Sequence, residues 1–506
     1  MAGIVLSRGR LLSAAAVLLA APALAGAQTC ESISSLRLPS TTITSAASVA
    51  AGALGRAAAA LQNLPAFCRV EMTIAPTPDS DITVEVWMPA SGWNGKFLAV
   101  GNGGWAGSLN TAGLAAGIRR GYATASTDTG HTAGAGGGGG PWMQNREKRV
   151  DFGYRAVHET AEKGKAVVRT FYGSAARLAY FDGCSGGGRQ GLKAAQRFPA
   201  DFDGIVAGAP ALNATGRAAF AMSIAQTVHA DAASFIPSSK FLLIHKAVLD
   251  ACDARDGVAD GVLENPKACA FDPAVLQCTA GDGAACLTPA QVASTRAMYA
   301  PLAHARSKDR LFPGLSPGSE LGWTTFAGPE PFEIARQMYE FMVFNDPEWN
   351  FKALNFDSDM DRVRTIEAGV IDARDPNLAP FAARGGKLIQ YHGWADPQIP
   401  ALSSVEYYES VVKTRGGTGR VHDAYRLFMV PGMGHCGGGS GTSTFDMLGA
   451  LERWVEQRQP PDRIPAARIL KGVTDRTRPL CPYPQVARYT GTGNTDDAAN
   501  FSCGPP

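Results

Sequence analysis

The stretch "GCSGGGRQG", Gly183 to Gly191, places Ser185 inside a G-x-S-x-G pattern, Gly183 to Gly187. An apolar run, "RLAYFD", precedes it and a helix-forming run, "GLKAAQRF", follows it. That context suits a nucleophile elbow, a strained strand-to-helix turn that exposes a serine hydroxyl. A serine attacks only when a base removes its proton. The expected partners are an acid and then a histidine, in the chain order Ser, Asp, His. Asp396 in "HGWADPQIP" and His435 in "VPGMGHC" both follow strand-like runs. They would therefore sit at the carboxyl ends of strands, where open α/β sheets bind ligands. His392 falls inside a strand-like run and reads as a packed or hydrogen-bonded residue. His131 in "STDTGHTAG" reads as a residue that shapes a loop near the site.

An acyl-transfer site also needs N–H donors for the developing oxyanion. Gly186, next after the serine, supplies one, and the glycine loop "GNGGWAG" offers Gly103 or Gly104 for the other. Cys184 precedes Ser185, and Cys436 follows His435. A histidine could in principle activate a Cys184 thiol. If Ser185 touches His435, however, the two cysteines fall within disulfide range. That reading makes Cys184 a structural half-cystine and leaves the chemistry to the serine.

These residues need a scaffold. The chain has 506 residues, 45% hydrophobic and 18% charged, which suits a globular protein with a large core. Residues 1–27 read as a secretory leader: Arg8 and Arg10, the apolar run Leu11 to Ala21, then small residues up to Ala27. The formal charge of +2 falls to zero once those two arginines are removed. A neutral exported chain has no electrostatic case for nucleic acid or an anionic membrane, and no later stretch could span a bilayer. Ten cysteines in such a chain point to disulfides and a secreted or periplasmic location.

"DITVEVWMP" alternates as a half-buried strand. "GKFLAV", "YATAST", "FDGIVAG", "GKLIQYHG" and "YRLFMV" read as further strands, and "YRAVHETAEKGKAVVRTFYG" and "FDMLGALERWVEQ" as helices. Alternating strands and helices predict a parallel sheet in an α/β fold. The rhythm breaks over 212–374, which reads as an inserted domain between a first part, 28–211, and a second, 375–506. The glycine run 134–141 lacks the lysine of a phosphate loop and reads as surface. Within the insert, "CDARDGVADGVLENP" packs Asp253, Asp256 and Asp260 into one tight loop. With the carbonyls of Val258 and Val262 they form an oxygen set suited to a structural calcium ion.

With these residues in place, the chain resembles the tannase and feruloyl esterase family. The resemblance rests on Cys184-Ser185, Asp396 and His435-Cys436, on the "GNGGWAG" loop, and on the aspartate loop. It implies an α/β-hydrolase fold with the insert as a large lid, and a serine esterase acting on small esters of aromatic acids. It also implies the disulfides Cys30–Cys68, Cys252–Cys269, Cys278–Cys286 and Cys481–Cys503. Members that act on terephthalate monoesters carry an acid where this chain has Gly186, and use a lid arginine, for which Arg336 is the candidate here. Trp323 reads either as an aromatic wall for the acyl ring or as a core tryptophan.

Overall fold

The computed structural model describes residues 1–5, 28–54, 59–134, 137–304, 306–367 and 369–506. The arginines and apolar run of the expected leader, and part of the glycine run 134–141, lie outside them.

Nine strands form the main sheet: β1 (Thr41–Val49), β2 (Phe67–Ile74), β3 (Ile82–Pro89), β4 (Lys96–Val100), β5 (Ala123–Thr127), β6 (Leu178–Cys184), β7 (Gly204–Gly208), β8 (Lys387–Gly393) and β9 (Tyr425–Val430). Their order is β1-β2-β3-β5-β4-β6-β7-β8-β9. The pairs β1/β2, β2/β3 and β3/β5 are antiparallel. From β5 to β9 every pair is parallel. The parallel strands are apolar nearly throughout because helices cover both faces. All of Tyr425–Val430, for example, is buried.

The helices that matter for the site are α1 (Ala156–Tyr172), α2 (Gly186–Arg197), α3 (Ala214–Val228) and α4 (Met447–Gln457). α1 stops at Gly173, which takes φ +68°, a left-handed cap that glycine adopts without a Cβ penalty. α4 starts at Asp446, whose carboxylate accepts from the Gly449 N–H at 2.9 Å.

One strand departs from expectation. β3 is buried on both faces rather than one. Trp87 packs against Phe67 on the second face, and the buried Glu85 is held by Arg69 and by the Trp87 indole N–H at 2.7 Å. A buried carboxylate with two donors is tolerated where a bare one is not.

Residues between β7 and β8 add no strand to the main sheet. Their apolar core, which includes α3, Phe326 and Tyr339, is continuous with Trp105, Met143 and Phe152 from outside the insert. The Trp105 indole donates to the Ile334 carbonyl at 2.9 Å. The insert is therefore seated directly on the "GNGGWAG" loop. The five disulfides are Cys30–Cys68, Cys184–Cys436, Cys252–Cys269, Cys278–Cys286 and Cys481–Cys503. Among the described residues no cysteine is free, and no helix is long and apolar enough to cross a membrane.

Candidate active site

Ser185 stands at the turn between β6 and α2 with φ +63° and ψ −120°. That conformation is strained for a residue with a Cβ and persists only where its surroundings hold it. The Ser185 N–H donates to Gly208 at 2.9 Å, and its carbonyl accepts from Ala211 at 3.1 Å and Arg189 at 3.0 Å. β7, the chain leaving it and α2 thus fix the turn from three sides.

Asp396 follows β8 and is 1% exposed. One carboxylate oxygen accepts the N–H groups of Gln398 (2.8 Å) and Ile399 (3.0 Å). The other faces His435 Nδ1 at 2.7 Å and His392 Nε2 at 3.1 Å. Burial opposes the charge, but hydrogen bonds from His392 and His435 outweigh it and hold the carboxyl well below the usual range. Asp396 fixes the His435 tautomer: Nδ1 carries the proton, so Nε2 keeps a lone pair for base work.

His392 does more than pack. Its Nε2 faces two acceptors, Asp396 and the Ile399 carbonyl (3.0 Å), so it is protonated there, and Nδ1 accepts from Ser404 Oγ at 2.7 Å. It is a second, buried clamp on Asp396. The four-residue step from His392 to Asp396 across the strand end was the available signal in the sequence.

Ser185 and His435 share no hydrogen bond among the described residues. Their proximity comes from the Cys184–Cys436 disulfide, whose Cα atoms are 6.0 Å apart. Serine–histidine bonds often tighten only when substrate is present.

A Cβ built on Gly186 would meet the carbonyl oxygens of Gly104 at 3.0 Å and Asn102 at 3.1 Å, so the start of α2 lies against the "GNGGWAG" loop. The N–H groups of Gly103, Gly104 and Gly186 have no backbone partner among the described residues. His131 steadies this loop. Its ring stacks on Trp142 at 3.9 Å and its Nε2 bonds the Trp105 carbonyl at 2.8 Å. Burial pushes its pKa down to about 4, so it is neutral and donates.

Of the two expected substrate contacts, Trp323 needs correcting. Trp323 is 0% exposed inside the core of the insert, bonded to Ser319 and edge-on to Tyr299, so it walls no pocket. Arg336 is already compensated by Glu340 one helical turn away. Sequence reading missed Arg217, a buried arginine on α3. Its only signal was a single charge inside "ATGRAAFAMSIAQ".

In the aspartate loop, Asp256, Val258, Asp260, Val262 and Glu264 line a cavity of about 20 Å³. Asp253 is turned instead to the N–H groups of Asp260 and Gly261. Burial raises the pKa values of Asp256 and Asp260, and the loop's aspartates repel one another. Arg476 and Arg478 partly offset Asp260. Among the described residues no three His, Cys, Asp or Glu side chains already converge as a metal cluster. The donors are all oxygens, which fits a hard cation of the calcium type.

Known proteins resemble this chain along most of its length. The family model for tannase and feruloyl esterase matches residues 68–504. An uncharacterized esterase of Xanthomonas campestris pv. campestris is 40% identical, covering 94% of this chain and 91% of its own. The mono(2-hydroxyethyl) terephthalate hydrolase of Piscinibacter sakaiensis is 36% identical over 89% of this chain and 87% of its own. The crystal structure of feruloyl esterase B from Aspergillus oryzae superposes with a TM-score of 0.86 at 31% identity, covering 94% of this chain and 99% of that one. The chain belongs to the tannase and feruloyl esterase family of carboxylic ester hydrolases.

Proposed function

We propose that this protein is an exported serine esterase that cleaves esters of aromatic acids of the hydroxycinnamic, feruloyl type through an acyl-enzyme. The observation that carries this reading is the two-point hold on Asp396, which fixes His435 through Nδ1, on a loop that the Cys184–Cys436 disulfide ties to the strained turn of Ser185. His435 takes the Ser185 proton as the oxygen attacks the ester carbonyl. The oxyanion is met by the N–H groups of Gly186 and of Gly103 or Gly104. His435 returns the proton to the leaving alcohol, and a water repeats the sequence to free the acid. Five disulfides support an extracellular or periplasmic setting.

The test is a panel of kcat/KM values on methyl ferulate, methyl gallate, chlorogenate and a terephthalate monoester. Methyl ferulate should lead methyl gallate. Preference for gallate would move the assignment to tannase, and no turnover of any of the four would sink the aromatic-ester reading.

We also propose that the aspartate loop holds calcium through Asp256, Asp260 and the carbonyls of Val258 and Val262, without the expected Asp253, whose carboxylate is taken by the N–H groups of Asp260 and Gly261. The ion would neutralise carboxylates that otherwise repel one another in a buried loop, a structural role away from Ser185. Calcium at a hundredfold excess over its Kd should stabilise the fold by about 2.7 kcal/mol. Melting with and without chelator reads this, and an unchanged Tm would remove the claim.

A further inference from the structure

Arg217 stands on α3, one turn past the cap at Asn213, whose side chain accepts from Gly216. The chain leading into α3 is the segment that bonds Ser185 through Ala211. Arg217 is 7% exposed. Its Nε is sealed from solvent with no acceptor, and its guanidinium forms no hydrogen bond or ion pair with a described residue. The face of Phe332, from the insert, lies 5.4 Å from it. Burial pushes its pKa down to about 10, and the one charge acting to keep it protonated is the carboxylate of Asp396. That carboxylate is already fully engaged by two histidines and two N–H groups.

Buried charges are normally paired, because leaving water costs several kcal/mol that only a counter-ion and hydrogen bonds recover. The other fully buried arginine near the site shows the usual solution. Arg189 of α2 is satisfied by the carbonyls of Phe152, Gly153 and Ile371. Arg217 has no such set. It is a rigid planar donor fork, within the electrostatic reach of the catalytic carboxylate, between the nucleophile's own support and the insert. A carboxylate is the group such a fork matches, by two parallel N–H bonds.

We infer that Arg217 is the anion-binding residue of this site, and that preferred substrates are aromatic esters carrying a free carboxylate, seated on its guanidinium. This rests on Ser185, Asp396 and His435 being the ester-cleaving site. It also moves the carboxylate contact from Arg336, which Glu340 occupies, to Arg217, which nothing occupies. The carboxylate could belong to the acid part or to the alcohol part of the ester.

The experiment compares wild type, Arg217→Gln and Arg217→Lys on two matched pairs. Monomethyl terephthalate against dimethyl terephthalate places the charge on the acid part. Chlorogenate against methyl ferulate places it on the alcohol part. In Arg217→Gln, kcat/KM on at least one charged member should fall by about 10- to 100-fold, through KM. Its neutral partner should change by less than about threefold, and Arg217→Lys should recover part of the loss. Equal losses on charged and neutral esters, or no loss on either, would overturn the inference and leave Arg217 as support for Asp396. Binding of terephthalate and benzoate ions by calorimetry gives a readout independent of turnover. It should weaken in Arg217→Gln by a similar factor, and unchanged binding also overturns the inference. Tm should hold or rise, since an unpaired buried charge is removed, whereas a structural ion pair would make it fall. If wild type binds these ions through Arg217 yet cleaves none of the four esters, the esterase reading fails and the anion site stands.

Discussion

Ser185→Ala should lower kcat on any ester the protein cleaves by about 10⁴-fold or more, with little change in Tm. The loss is large because serine, histidine and aspartate act as one unit. Without the nucleophile, what remains is binding and oxyanion stabilisation. Stability should hold because the hydroxyl makes no hydrogen bond among the described residues. The bonds that fix the turn, to Gly208, Ala211 and Arg189, are made by the backbone. Alanine carries the same φ penalty at +63° as serine, so the strain is unchanged. A fluorophosphonate probe should label the wild type at Ser185 and leave the variant unlabelled. Retention of more than about a hundredth of the wild-type rate would place the chemistry elsewhere.

Replacing both Cys184 and Cys436 by serine should lower stability and turnover together. The bond closes a loop of 252 positions, and chain-entropy reasoning gives it about 5 kcal/mol, a model-dependent upper value. Turnover should fall because no hydrogen bond otherwise joins Ser185 to His435. The loop carrying the histidine keeps its other ties, the Asp396 bond, the Ala395 N–H to the Met433 carbonyl at 3.0 Å and the Arg468 guanidinium to the Ser440 carbonyl at 2.7 Å, but none of these reaches Ser185. Mass spectrometry of the probe adduct should still find it on Ser185, at a lower rate. Melting temperature and kcat are the two readouts. A double variant with unchanged kcat would mean that the Asp396–His435 bond and the loop's other hydrogen bonds position the base without the disulfide.

Much of this site could be read in the sequence because strand ends carry it. β6, β8 and β9 are mostly apolar or buried strands that run into glycine-containing turns, and Ser185, Asp396 and His435 sit in those turns. The Cys184–Cys436 bond followed from adjacency to two members of the triad. What the sequence hid was burial without periodicity. β1 is an edge strand with little apolar signal, its residues half-buried or exposed. The hairpin Ile464–Leu470 with Val473–Leu480 contains three arginines on its second strand side or first, Arg468, Arg476 and Arg478, and gives no apolar alternation. Trp323 stayed ambiguous because an aromatic residue in an insert can face inward or toward ligand, and one-dimensional pattern does not say which. Arg217 went unnoticed for the opposite reason. A lone arginine in an alanine-rich helix reads as a solvated face until the helix is seen buried in the core of the insert.

The seam at Trp105 sets how such a protein can change over time. The residue that follows the "GNGG" turn is anchored by its indole to Ile334 of the insert and shares its core. Substitutions around Ile334 therefore bear on the backbone of the glycine loop that is proposed to meet the oxyanion. An insert exchanged for another must bring its own partner for that indole, or leave the glycine loop without its anchor.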